Sequence, residues 1–448
     1  MGACLSICGL GQLACCAGST ACSLLSCCSA FNSPRILYSL MLILVTITGW
    51  IMGIPNVSNW LKNWVPWCWH KPSITETITN LNPVKIATET FFSNGSGQVS
   101  NGTSTICDEF TGYVAVYRLM FATTLFFVVF GFIMIKVKSS RDPRVQLHNG
   151  LWLIKYLILV GGIVGAFYIP ASNGFYEVWK YFGLVGAFLF LLIQFFFIIT
   201  FADDWAISWV SKMEEEDSNG YYFSLLFFTF INFVLTFTAF VLFYVYYTGT
   251  ACGIHKFFIS INLVLSVALP VISILPKIQE HQPSSGLLQS SVVSIYLAYL
   301  TWSALNNSPY TDCKPTILGG GSTSLDTQSF ISLVICLACV LYSSMRLSSR
   351  SNFEKIQGVS SLGNDDSSGT DDEEDRSNWS YSYFIFALGT LYLMMTLTNW
   401  YTPTESYKHF GESTSSLWIK MSSSWICALL YLWTLLAPIL LGEWRDFS

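Results

Sequence analysis

Five ionisable or amide side chains sit where their neighbours in the chain are almost all apolar: Arg118, Lys155, Gln194, Asp203 and Asp204. A charge near the centre of a bilayer costs about 3 kcal/mol on insertion scales, so it faces a partner or a wet path unless its stem reaches an interface. Arg118 and Lys155 are therefore candidates to meet a lipid phosphate on such a path. The bland alternative is that they snorkel to phosphates at opposite faces, Arg118 outside and Lys155 inside. Asp203 and Asp204 lie beside Trp205 and Trp209 and could accept a hydrogen bond from a lipid amine or the ammonium of serine. Since tryptophan settles at headgroup depth, the same pair could instead mark the cytoplasmic interface. Gln194, about three helical turns earlier, is expected to face the interior.

Hydroxyl and amide groups add a second candidate. A polar head crossing a bilayer must stay solvated while its tails remain in oil. The stretch 288–305 offers Gln289, Ser290, Ser291, Ser294 and Thr301, with Tyr296 and Tyr299, and Asn306 at its outer end. The stretch 381–401 offers Thr390, Thr396, Thr398 and Asn399. The alternative role for all of these is hydrogen bonding between helices, worth only about 0.6 kcal/mol per contact.

No constellation for bond-making chemistry accompanies them. The chain has no His-Glu-x-x-His, Gly-x-Ser-x-Gly or Gly-x-x-x-x-Gly-Lys-Ser/Thr, and His70, His148, His255, His281 and His409 are scattered singly. Gly9 to Ala14 imitates a dinucleotide fingerprint without a preceding strand. We expect no enzyme, no cofactor and no metal site, and transport or assistance rather than synthesis or an ATP-driven pump.

What must position these groups is a set of helices in a membrane. Of the 448 residues 52% are hydrophobic and only 11% charged, about half the charge usual in a soluble domain. Ten apolar stretches, near 36–54, 111–135, 150–170, 176–210, 221–247, 256–276, 288–305, 329–346, 381–401 and 417–441, each approach the roughly 20 residues that span hydrocarbon as a helix. The fold class is therefore all-α and polytopic. The fourth stretch reads as helix from Tyr176 to Asp217, at about 60 Å twice the hydrocarbon thickness. A long oblique helix is the preferred reading over a break near Asp203 and Asp204. Gly161 with Gly165, Gly162 with Ala166, and Gly183 with Ala187 are small pairs one turn apart that are expected to seat stretches three and four together. Pro270, Pro276 and Pro438 are expected to kink or end helices, freeing carbonyls that neighbours or water must meet.

Orientation follows from sequons and basic residues. Asn56, Asn94 and Asn101 begin Asn-x-Ser/Thr sequons in the loop 55–110, which glycosylation requires to be lumenal. Lys and Arg are in excess in the segments this places inside, and an even number of crossings leaves both termini cytoplasmic. Cys68, Cys107, Cys252 and Cys313 then fall on the oxidising side. Cys68 with Cys107 and Cys252 with Cys313 is the preferred pairing, with four free thiols as the alternative. Segment 1–35 is cysteine-rich and cytoplasmic; Gly2 fits N-myristoylation and Cys4 a palmitate, or the segment forms a short extra helix. The cytoplasmic loop 347–380 carries the acidic run 371–375 and reads as a disordered spacer or as a site for basic trafficking adaptors. Net charge is -5, so nucleic acid is not an expected partner.

Several blocks resemble one family. They are Met1-Gly2-Ala3 with its cysteine-rich tract, Val137-Lys138-Ser139-Ser140-Arg141-Asp142-Pro143-Arg144 with Asn149-Gly150-Leu151-Trp152, and Tyr381-Ser382-Tyr383-Phe384 leading to Met394-Met395-Thr396-Leu397-Thr398-Asn399-Trp400-Tyr401. Together they resemble the serine incorporator (Serinc, or TMS membrane protein) family over essentially the whole chain. The resemblance implies ten transmembrane helices in two four-helix subdomains separated by a long diagonal helix, which falls on 176–217. It also implies work on lipids: support of serine incorporation into phosphatidylserine and sphingolipids, phospholipid scrambling without ATP and, in some members, restriction of retroviral infectivity.

Three functions remain open from the sequence. A lipid scramblase acting on membrane phospholipids requires a polar groove open to lipid. A secondary transporter of serine or another small solute requires broken helices with paired charges at the midplane. A scaffold for lipid-synthesising enzymes requires only a sealed bundle. A homo-oligomer is compatible with each, as is residence in the endoplasmic reticulum, Golgi or plasma membrane.

Overall fold

The computed structural model describes residues 34–53, 112–135, 137, 144, 147, 148, 150–169, 173–216, 219–249, 252–281, 286–310, 313, 330–344, 368–398, 400 and 414–442. All regular structure among them is helical. The helices are α1 (Pro34–Gly53), α2 (Tyr113–Ile133), α3 (Trp152–Phe167), α4 (Asn173–Glu216), α5 (Asn219–Tyr247), α6 (Gly253–Ser273), α7 (Pro276–His281), α8 (Leu287–Asn306), α9 (Phe330–Ser344), α10 (Ser368–Leu397) and α11 (Thr414–Gly442). Seven of them, α1, α2, α4, α5, α6, α10 and α11, are long and apolar enough to cross a membrane. Helices α3 and α9 are apolar but shorter, and the serines and glutamine of α8 dilute its hydropathy.

Two sets of neighbours emerge from the packing. Helix α2 packs against α1, α3 and α10; α8 packs against α5, α6 and α11. Helix α4 touches α10 from the first set and α5, α8 and α11 from the second. Helix α9 ties in through side chains: Ser344 shares a 2.6 Å hydrogen bond with Ser39 of α1, and Ser332 accepts one of 2.7 Å from Tyr299 of α8.

Helix α4 is continuous for 44 residues, roughly 66 Å at 1.5 Å per residue, and runs through Asp203 and Asp204 without a break. It is held close to α10 by two glycines. A Cβ at Gly186 would stand 2.9 Å from Cβ of Leu391, and one at Gly183 would meet Met394 and Met395. The expected seating of stretch three on stretch four by small residues is overturned: Gly161, Gly162 and Gly165 have nothing within 4 Å of an added Cβ. The glycines of α4 serve α10 instead, at residues more than 200 positions farther along the chain.

Two further expectations are corrected at helix ends. Helix α10 begins at Ser368, so the acidic run 371–375 belongs to a helix rather than to a spacer; acidic residues near an N-terminus suit the partial positive charge of the helix dipole there. Pro276 does not end α6 but opens the short α7, because the first helical position needs no N–H. Pro270 lies inside α6 and, lacking an N–H, leaves the carbonyl of Ser266 without its helical donor. The hydroxyl of Ser294 on α8 supplies one, at 3.1 Å. The segments 1–33 and 54–111, with Gly2, Cys4, Asn56, Cys68, Asn94, Asn101 and Cys107, lie outside the described residues, as do 345–367 and Asn399.

Candidate lipid path: buried polar groups

The sequence-predicted groups lie around α2 and α3, on α4 and along α8, and Asp203 of α4 and Ser290 of α8 both interact with Tyr431 of α11. In the first set of helices are the two cations. Lys155 is 0% exposed; its ammonium donates to the carbonyl of His148, 2.8 Å away, and sits 4.0 Å from the ring centre of Trp152 and 5.0 Å from that of Tyr38. His148 in turn shares a 2.9 Å hydrogen bond with Tyr383 and stacks on Trp379. The chain reaches this arrangement by a left-handed residue, Leu151, at φ 57° just before α3. Two aromatic faces and a carbonyl thus meet the Lys155 ammonium within the protein.

Arg118 is 2% exposed. Its Nε donates to the Tyr176 phenol and a terminal nitrogen to the carbonyl of Ile169, both at 3.0 Å. One planar fork thus ties α2 to both ends of the α3–α4 connection, a geometry a lysine cannot copy.

On α4, Gln194 is 0% exposed, and neither its amide nitrogen nor its oxygen has a hydrogen-bond partner among the described residues. Asp203 is half-buried. Asp204 is exposed and accepts a 2.5 Å hydrogen bond from Tyr342 of α9.

The third place is α8. Gln289, Ser290, Ser291, Ser294 and Thr301 are all buried, on a helix packed by α4, α5, α6 and α11. Ser291 accepts from Asn232 of α5 at 3.2 Å, and Ser294 donates to Ser266 as described. Asn262 of α6 donates to Thr301 at 2.8 Å and accepts from Ser424 of α11 at 3.2 Å. Farther along, Lys420 of α11, 2% exposed, donates to the carbonyl of Ser303 at 3.3 Å beneath the ring of Trp400. Asn307 donates to Ser416 at 2.8 Å, and His255 pairs with Ser308 at 2.8 Å and the carbonyl of Tyr247 at 3.1 Å. Beside His255, Cys252 and Cys313 form a disulfide.

From Gln289 to Asn307 this column is about 27 Å long, close to the thickness of a hydrocarbon core. The helices packed on α8 carry polar atoms without a hydrogen-bond partner among the described residues: Gln194 on α4, the Ser266 hydroxyl on α6 and the Trp425 indole on α11. The threonines of α10 do not join it. Thr390 and Thr398 donate to carbonyls four residues back on their own helix, and α10 belongs to the other set.

Sequence reasoning passed over Lys420 and Asn262. Both carried the signal that picked out Lys155 and Gln194, a cation or amide inside an apolar run. No group of three or more possible metal ligands occurs among the described residues.

The comparisons with known proteins agree with the blocks quoted above. The family model described as Serine incorporator (Serinc) matches residues 14–443. Over the full length of both chains, the protein is 40% identical to "Serine incorporator 2" of Mus musculus and 37% identical to "Serine incorporator 3" of Bos taurus. It is 38% identical to a "Probable serine incorporator" of Nematostella vectensis, across the whole chain and 99% of that relative. Taken with its apolar helices, this chain is an integral membrane protein that belongs to the serine incorporator family.

Proposed function

We propose that the protein moves phospholipid heads between membrane leaflets without ATP, and so supports the incorporation of serine into phosphatidylserine and sphingolipids. The observation that carries this reading is the buried polar column along α8, with the unpartnered atoms of Gln194, Ser266 and Trp425 on helices that pack against it. A head leaving water must find new hydrogen bonds, and atoms without a partner offer them without breaking others. The tails would remain outside the bundle, so one wall must part. Helix α5 is that wall: only 17% of its apolar window is buried, and it already meets the column through Asn232 and Ser291.

In this reading ten helices cross the bilayer as two four-helix subdomains, α1 to α3 with α10, and α5, α6, α8 with α11. Helix α4 is the diagonal between them, and α9 braces both. Both termini and the segment 347–380 are cytoplasmic, the loop 55–110 is lumenal and glycosylated, and the membrane is that of the endoplasmic reticulum, Golgi or cell surface. The protein transports rather than catalyses. Its partners are membrane phospholipids and serine, adaptors at the acidic segment, and a further copy of itself.

The test is reconstitution into liposomes with fluorescent phosphatidylserine in both leaflets. Dithionite should bleach nearly all of the signal; bleaching that stops at the outer half, as in empty vesicles, sinks the reading. A second reading, passage of free serine, needs no wall to part, because α8 is packed by α4, α5, α6 and α11. Uptake of radiolabelled serine by the same vesicles, with the inner leaflet unbleached, would assign the column to serine instead.

A further inference from the structure

A crevice of about 320 Å³ opens on the surface where α4 meets α9, away from the column. It is lined by Phe201, Asp204, Trp205 and Ser208 of α4 and Tyr342 of α9. The Tyr342 ring stands edge-on to Phe201 with centres 5.5 Å apart, and Trp205 lies 6.0 Å from Phe201 on the other side. The Tyr342 phenol donates to one carboxylate oxygen of Asp204.

We propose that this crevice seats the choline head of a membrane phospholipid. A quaternary ammonium has no N–H, so it needs no acceptors; it is held by the faces of aromatic rings and by a nearby negative charge. The crevice supplies three rings and one carboxylate; its other polar groups among the described residues are the Ser208 hydroxyl, the Tyr342 phenol and the Trp205 indole N–H. A primary ammonium gives up water for its three N–H groups on entering such a crevice, and a glycerol head carries no positive charge for the rings and the carboxylate to hold. The occupant is a lipid rather than a free solute because the rim is greasy: Phe201 and Ile207 are both exposed, and acyl chains cover such surface where water would not.

Phe201 follows Gln194 by seven residues, two helical turns, so the two share a face of α4 about 10 Å apart. A choline head in the crevice would therefore enter the path two helical turns from Gln194. That consequence rests on the transport reading above, whereas the binding itself does not.

The test is binding of dihexanoylphosphatidylcholine and dihexanoylphosphatidylglycerol, below their micellar concentrations, to the full-length protein in detergent, followed by microscale thermophoresis. The choline lipid should bind about tenfold more tightly than the glycerol lipid, and Asp204→Asn should remove most of that preference. Trp205→Leu should do the same; since Trp205 also packs on Phe228, the exposed Asp204→Asn decides if that variant misfolds. Tyr342→Phe keeps the ring and should retain the preference. Equal binding of the two lipids, or an Asp204→Asn protein with its preference intact, overturns the proposal. Choline chloride binding as tightly as the lipid overturns the lipid assignment. Choline selectivity present in a protein that fails to scramble would sink the transport reading alone.

Discussion

The hydroxyl of Ser294 donates to the backbone carbonyl of Ser266, 3.1 Å away on the neighbouring helix, and that carbonyl is the one Pro270 deprives of its helical N–H. A helix defect in α6 and a serine of α8 thus complete each other inside the bundle, where no bulk water would do so. Ser294 also donates to the carbonyl of Ser290 on its own helix at 2.8 Å, so one hydroxyl is shared between the two helices.

This pairing gives a double-mutant test. Ser294→Ala should destabilise the protein by about 1 kcal/mol, the net worth of one buried hydrogen bond. Pro270→Ala returns an N–H to the Ser266 carbonyl, so in that background Ser294→Ala should cost measurably less. Unfolding midpoints in detergent, read by tryptophan fluorescence, check it; strictly additive shifts would refute the coupling.

Gly186 and Gly161 should respond in opposite ways to the same change. Gly186→Ala places a Cβ against the Leu391 Cβ at 2.9 Å and should cost about 1 to 3 kcal/mol by overpacking the α4–α10 contact. Gly161→Ala meets nothing and should be neutral or slightly stabilising through helix propensity. Equal melting shifts in the two variants would contradict the packing described.

Arg118→Lys should not be conservative. It removes the fork that joins Tyr176 and Ile169 and should cost roughly 1.5 to 3 kcal/mol, the range for hydrogen bonds to a charged group. In a Tyr176→Phe background the penalty should shrink, because one arm of the fork is already gone. Urea midpoints of the four proteins measure the coupling, and an unaltered midpoint for Arg118→Lys would show the fork to be idle.

Gln194 separates stability from function. Its amide has no protein partner among the described residues, so Gln194→Leu removes no described hydrogen bond and should leave the melting temperature unchanged or higher. If the amide serves a passing head, the same variant should slow dithionite bleaching of inner-leaflet lipid several-fold. Full scrambling by Gln194→Leu would remove this residue from the path; a folding defect would mean that its amide is already satisfied.

What the residues determine in order along the chain was legible from order alone. Apolar runs of helix-spanning length fix where helices form, because unpaired backbone in oil is prohibitive, and each of the ten expected stretches falls on a helix. The absence of any breaker between Tyr176 and Asp217 foretold the unbroken α4, and Pro270 foretold a carbonyl in need of a donor. Partnership was different. The glycines of α3 and α4 look alike in the sequence, yet only those of α4 are in close contact, and with α10. Arg118 and Lys155 read as candidates for one path with Gln289, Ser290 and Ser294, yet the packing places the cations in one set of helices and the serines in the other. Lys420 was as visible as Lys155 but acquires meaning only under Trp400 and beside Ser303. The reason is physical. Helix formation in a membrane is a local demand for backbone hydrogen bonds, whereas which polar side chains meet depends on how helices distant in sequence rotate and pack. That rotation is set by the summed shape of their surfaces, a property no single stretch of sequence contains.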